Sequence, residues 1–145
     1  MWLCPIKFII KMAKINASIA IILDDNDNKV YISKRQKHQS YSDYWEFPGG
    51  KVEKHETFKE CAIRETYEEI GIIIENCELF YTKCYFNNKG DEVYLEFFIT
   101  KYFKGIPYSK EKQKLKTVRV SELEQYTFLP GSLEVIDMLR SKFHD

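Results

Sequence analysis

The stretch Gly49-Gly50-Lys51-Val52-Glu53-Lys54-His55-Glu56-Thr57-Phe58-Lys59-Glu60-Cys61-Ala62-Ile63-Arg64-Glu65-Thr66-Tyr67-Glu68-Glu69-Ile70-Gly71 decides the reading of this 145-residue chain. Thr57 and Glu60 stand three apart, as a capping box requires, and Gly71 stands where a helix stops, which predicts a helix from Thr57 to Ile70. Phe58, Ala62, Thr66 and Ile70 recur on one face of that helix. Glu65, Glu68 and Glu69 fall within an arc of about 100° on another. Two readings compete for the acidic stripe. It is either a solvated face or a set of hard oxygen donors for Mg²⁺ or Mn²⁺. The docked apolar face gives the stripe a fixed direction, which favours the second. Pro48-Gly49-Gly50 brings bare backbone to the same region, where a glycine carbonyl can complete an oxygen shell. Glu56 is placed to orient Arg64 through a carboxylate–guanidinium pair. A carboxylate metal site for phosphoryl chemistry follows.

Working outward, Ile15 to Leu23 is β-branched and apolar and ends at the turn formers Asp24-Asp25-Asn26-Asp27-Asn28. Val30 to Arg35 resumes as a strand, so the two read as a hairpin or near-hairpin. Trp45-Glu46-Phe47 reads as a short extended piece. Cys77 to Asn87 and Glu92 to Phe103 read as strands around Asn88-Lys89-Gly90-Asp91. A lysine-rich loop from Lys104 to Lys116 leads to a short strand, Thr117 to Val120, and an amphipathic helix, Leu133 to Phe143. Strands, one long helix, more strands and a closing helix make an α/β domain with a mixed sheet.

Twenty-two Lys and Arg balance twenty-two Asp and Glu. That argues against a binder of nucleic acid polymers or acidic membranes, while leaving room for a small anion neutralised by metal. Cys4, Cys61, Cys77 and Cys84 form no C-x-x-C pair; without a secretory signal they read as thiols rather than two disulfides. Met1 to Ile10 is apolar, but lysines, a proline and the lack of a small-x-small site count against a signal peptide. The expectation is a cytoplasmic protein whose residues 1–12 are an N-terminal extension, with Met12 as an alternative start and the domain over 13–145.

The spacing of Gly50, Glu56, Arg64-Glu65, Glu68-Glu69, Gly71 and Ile72 resembles the Nudix box. The seven fixed identities, Ile72 aside, coincide by chance on the order of 10⁻⁹ times per starting position. Thr66 departs from the pattern, which usually has an aliphatic residue there, and reads as a packing variant. Tyr31 to Arg35, Trp45 to Glu53, Gly105-Ile106-Pro107 with Glu111, and Phe128-Leu129-Pro130-Gly131-Ser132 extend the likeness to the MutT branch over about Ile15 to Leu139. The resemblance implies a Nudix-type α/β/α sandwich with a mixed β-sheet. It also implies a Mg²⁺-dependent enzyme (Mn²⁺ as the alternative) that cleaves 8-oxo-dGTP or a related nucleoside triphosphate to monophosphate and pyrophosphate, acting as a monomer.

By the same resemblance, Gly49, Glu65, Glu68, Glu69 and Glu111 would hold the metal, and Glu65 and Glu111 rank ahead of Glu69 as the base. Glu56 and Arg64 would support them. Arg35 would contact phosphate or sugar, Phe47 would line the base pocket, and Ser132 stands where the branch has a guanine-reading Asn. A hydroxyl cannot reproduce an amide's two-point contact, so a pyrimidine triphosphate stays open beside oxidised dGTP. ADP-ribose and dinucleoside polyphosphates are disfavoured by the stretch Tyr85 to Gly90, which lacks the markers of those branches. A non-catalytic nucleotide-binding module is disfavoured because every box carboxylate is present. His38, His55 and His144 are scattered and read as loop variants. The lysines at 104, 110, 112, 114 and 116 read as a solvated loop that could assist capture of a triphosphate. Tyr81, Tyr85, Tyr94, Phe97 and Phe98 read as sheet core.

Overall fold

Strand β1 (Lys14–Asp24) buries both of its faces, and the rest of the fold is arranged around that fact. A computed structural model describes residues 13–24, 26 and 28–143; the expected extension 1–12, Cys4 and His144 lie outside the described residues. On one face Ile21 and Leu23 pack with Val30, Ile32, Phe97, Leu123 and the Val135, Ile136 and Leu139 stripe of helix α2 (Leu133–Lys142). On the other, Ala20 and Ile22 pack with Ala62 and Ile70 of helix α1 (Phe58–Ile70) and with Ile72, Ile74 and Phe98. Alternation along a strand sends successive side chains to opposite faces, so β1 is sandwiched between two helices. This is the expected α/β/α arrangement.

The remaining strands are β2 (Lys29–Lys34), β3 (Trp45–Glu46), β4 (Gly49–Lys51), β5 (Ile73–Phe86), β6 (Glu92–Lys104) and β7 (Lys114–Arg119). The sheet runs β3-β2-β1-β6-β5, with β4 also on β1 and β7 on β2. It is mixed: β1 and β6 are parallel over nine pairs, and the other pairings are antiparallel.

The near-hairpin of β1 and β2 pairs at only two positions, Leu23 with Val30 and Asp24 with Lys29. Lower down, the same edge of β1 takes β4, with Ala17, Ser18 and Ile19 opposite Lys51, Gly50 and Gly49. β1 thus parts from β2 where Pro48-Gly49-Gly50 enters, and Ala20 donates to the Pro48 carbonyl at 2.8 Å.

Three boundaries differ from the sequence reading. β5 starts at Ile73, four residues early, because Gly71 (φ 74°) turns the chain directly into a strand with Ile72 and Ile74 buried. β7 starts at Lys114 and ends at Arg119, since its six residues pair with all of β2 and only Val118 is buried; its exposed lysines disguised a strand as a loop. Val120 instead opens a 3₁₀ turn (Val120–Gln125), and a second one (Pro130–Ser132) leads into α2. Of the aromatic stripe, Phe97 and Phe98 are buried on opposite faces, whereas Tyr94 is half-buried against Phe58, with ring centroids 5.4 Å apart.

Candidate active site

Helix α1 begins as its sequence dictates. Thr57 Oγ1 accepts from the Glu60 amide at 3.0 Å, and Glu60 Oε1 accepts from the Thr57 amide at 2.9 Å. The helix ends at Gly71, whose amide donates to the Tyr67 carbonyl at 3.0 Å. These two ends fix the direction in which the acidic stripe points.

Arg64 organises the stripe. Its Nε and Nη2 donate to the two oxygens of Glu56 at 2.6 and 2.9 Å. Nη1 reaches Glu65 at 2.9 Å and Glu68 at 3.2 Å, and Nη2 also meets the Lys51 carbonyl at 3.2 Å. The bidentate bond to Arg64 holds the Glu56 carboxyl down to about 2. Glu56 Oε1 also accepts from the Glu53 amide at 3.0 Å, closing the loop before the helix.

Glu69 lies deeper. Gly49 donates its amide to Glu69 Oε2 at 3.1 Å. Burial first, then the hydrogen-bonded Glu65 carboxylate, and then the charge of Glu46 push the Glu69 carboxyl far above the ordinary carboxylate range. Two acids this close share a proton or need a cation.

The two glycines make this proximity feasible. A Cβ on Gly50 would stand 2.4 Å from Glu65 Cδ, and one on Gly49 would stand 2.4 Å from the Ser18 carbonyl oxygen. Among the described residues no three His, Cys, Asp or Glu side chains are set at metal-ligand spacing. Arg64 Nη1, between Glu65 and Glu68, supplies part of the positive charge the stripe needs. In kind, the donors are all hard oxygens, the class that suits a divalent cation.

Glu111 is brought near this cluster by its backbone. The loop from Gly105 to Gln113 is stitched to the last turn of α1 by Tyr108 and Lys110 amides donating to the Ile70 and Glu69 carbonyls, each at 3.0 Å. Buried Gln113 locks it. Its Nε2 donates to the Glu69 carbonyl at 3.0 Å, and its Oε1 accepts from the Glu111 amide at 3.0 Å and Ser109 Oγ at 2.7 Å. The Glu111 side chain is exposed.

Arg35, Phe47, Gly49 and Ser132 line one cleft of about 530 Å³, together with Gly50, Tyr85 and Asn88. Arg35 is held by Glu46 (Nη1 to Oε1, 3.0 Å) and by the Ser40 carbonyl (Nε, 2.6 Å). Phe47 is buried against Phe128, ring centroids 5.2 Å apart, so it is a core aromatic with one side on the cleft. Trp45 takes the Thr127 carbonyl and gives its own to Leu129, which carries the chain to Ser132 in the cleft wall. Ser132 is buried and its hydroxyl does not cap α2.

Two residues were missed by sequence reasoning. Glu46 anchors Arg35 and is pushed up by burial, against the opposing pull of that guanidinium. Gln113 offers as its signal a lone amide in a run of lysines. His55 is exposed with φ 68°, in the left-handed region that favours glycine. Cys61 is inert: burial pushes its thiol up to about 11. Cys61, Cys77 and Cys84 are free thiols, as read.

Comparison with known proteins sets this geometry in context. A family model described as the NUDIX domain matches residues 14–139. The chain is 35% identical to the 8-oxo-dGTP diphosphatase of Buchnera aphidicola subsp. Schizaphis graminum over 86% of its own length and 92% of that protein's. It is 30% identical to the 8-oxo-dGTP diphosphatase of Escherichia coli K12, covering 89% and 98% respectively. A structure from a study of MutT from Aliivibrio salmonicida and Vibrio cholerae superposes with a TM-score of 0.80 at 29% identity, over 90% of this chain and 99% of that one.

Proposed function

The chain belongs to the NUDIX domain family and is a Nudix hydrolase; from that premise we propose that it hydrolyses 8-oxo-dGTP to the monophosphate and pyrophosphate with Mg²⁺, clearing oxidised nucleotide from the pool. One observation carries the reading. The cleft lined by Arg35, Phe47 and Ser132 opens onto Gly49 and Gly50, the two residues whose backbone lies against the Glu69 and Glu65 carboxylates. A nucleotide held there has its phosphates at the acidic cluster.

Glu65, Glu68, Glu69, Glu111 and the Gly49 carbonyl would hold the ion, which when bound offsets phosphate charge and lowers the pKa of water. Arg64, pinned by Glu56, holds Glu65 in one rotamer, a positioning role. Glu65 and the exposed Glu111 suit proton removal better than Glu69, whose burial favours its neutral form. Arg35 has Nη hydrogens beyond its bonds to Glu46 and Ser40, and these would meet phosphate or sugar. Gln113 would keep the Glu111 loop on α1.

Among the described residues no helix is long and apolar enough to cross a membrane. Within the proposal the enzyme acts as a cytoplasmic monomer. Ser132 supports a second reading, a pyrimidine triphosphate, because its hydroxyl offers less to a purine edge than an amide does. The test is pyrophosphate release in Mg²⁺ by the wild type and by Glu68→Gln. The wild type should release pyrophosphate and monophosphate, and the variant should lose most of that rate. Undiminished hydrolysis by the variant would remove the acidic cluster from the mechanism.

A further inference from the structure

The placement of Lys114 and Lys116 on β7, rather than in a loop, exposes an electrostatic conflict. Lys34 of β2 stands directly opposite Lys114 of β7 in the antiparallel ladder. Like charges in that relation destabilise a sheet. Lys116 adds a third ammonium nearby: it and Lys34 lie 5.8 and 5.9 Å from the Trp45 ring centre. Around them Lys34, Arg35, Lys37, His38 and Lys114 line an open depression of about 380 Å³, whose acidic lining residue is Asp43, 3.7 Å from Lys34. Neither the Lys37 nor the Lys114 ammonium has a carboxylate partner among the described residues.

The juxtaposition leaves this open edge of the sheet with a surplus of positive charge that a bound anion would relieve. The depression is not remote from the cleft. Arg35 lines both, and neighbouring Gln36 donates to the Glu111 carbonyl at 2.7 Å, so the groove also borders the loop that carries Glu111. The acidic cluster repels a free triphosphate, and a basic vestibule beside it would raise the local concentration of that anion.

We propose that Lys34, Lys37 and Lys114 form an anion-capture groove that receives the polyphosphate tail of the incoming nucleotide and passes it across Arg35 into the cleft. The inference rests on a nucleoside triphosphate being the substrate, and it adds a second phosphate-binding surface to that site.

Inorganic tripolyphosphate in EDTA probes the groove alone, since the acidic cluster has no attraction for it without metal. Binding is measured by calorimetry at 25 and 300 mM KCl for the wild type, K37E/K114E, K37R/K114R and the control K14E/K59E, which makes the same charge change at exposed lysines elsewhere. The wild type should bind with salt-sensitive affinity. K37E/K114E should bind at least tenfold more weakly and show a similar rise in KM for nucleotide hydrolysis in Mg²⁺, with the loss confined to KM. The arginine pair and the control should match the wild type. K114E alone should raise Tm by pairing with Lys34 even as it weakens binding, a split that a purely structural lysine would not give. Unchanged tripolyphosphate affinity in K37E/K114E overturns the groove. Weaker binding with unchanged KM overturns its service to the cleft. A wild type that binds tripolyphosphate yet hydrolyses no nucleotide overturns the substrate assignment and leaves the anion site standing.

Discussion

Replacing Gly50 with alanine isolates the contact on which the acidic cluster depends. The new Cβ would stand 2.4 Å from Glu65 Cδ and 2.5 and 2.7 Å from its two oxygens, where ordinary contact begins near 3.4 Å. The Glu65 carboxylate must therefore retreat by about 1 Å, or break from Arg64 Nη1 at 2.9 Å. Moving a catalytic group by that much costs roughly 10²-fold in rate, equal to about 2.7 kcal/mol of barrier. Stability should hardly change, because the obstacle is the tip of a side chain at a helix surface, and alanine lowers the entropy of the unfolded chain by about 0.4–1 kcal/mol. Gly49→Ala is the contrasting control. Its Cβ would meet the Ser18 carbonyl oxygen at 2.4 Å and Ile19 Cα at 2.9 Å, both backbone atoms of the central strand. That variant should lose stability as well as activity. Steady-state kinetics with Mg²⁺ and thermal unfolding in EDTA read the two effects separately. A Gly50→Ala enzyme with wild-type kcat/KM would refute the claim that Glu65 is held against bare backbone for catalysis.

Thr66 is fully buried in α1 and its Oγ1 has no hydrogen-bond partner among the described residues, so Thr66→Val should stabilise the protein by about 1–3 kcal/mol with turnover unchanged; denaturant unfolding measures it. Burial, with the adjoining Glu65 carboxylate, pushes the Glu69 carboxyl from an ordinary 4.5 up to about 9. Its contribution to stability is therefore complete below pH 4.5 and is lost as pH rises toward 9, so the Tm in EDTA should fall across that window. At the proposed site, cation binding would displace the proton that the raised Glu69 carboxyl holds. Calorimetry of Mg²⁺ binding in two buffers of different ionisation enthalpy should show proton release at pH 7, and equal heats in both buffers would count against that coupling.

The helix and the direction of its acidic face were legible because they are local. A capping box, a glycine stop and carboxylates at fixed helical offsets need no knowledge of the rest of the chain, and all three stand as read. The pairing of Glu56 with Arg64 was legible for the same reason. What escaped was non-local. Gln113 matters only because the Gly105–Gln113 loop folds back on α1, and Glu46 only because β3 lies beside β2 and carries it to Arg35. β7 was read three residues short because alternating lysines on an exposed edge look like a solvated loop until a partner strand is known. Thr66 stands in the core, as its place on the apolar face implies, but the lack of a partner for its hydroxyl depends on packing that the helix pattern does not carry. Ser132 falls in the cleft, as the family's order of motifs implied.

The most direct measurement is kcat/KM for 8-oxo-dGTP against dGTP in Mg²⁺, with dCTP alongside and products identified. A ratio of about 10² or more, close to 2.7 kcal/mol of discrimination, with monophosphate and pyrophosphate as products, is expected for an enzyme that removes oxidised dGTP. A ratio near one, or a preference for dCTP, would contradict that role.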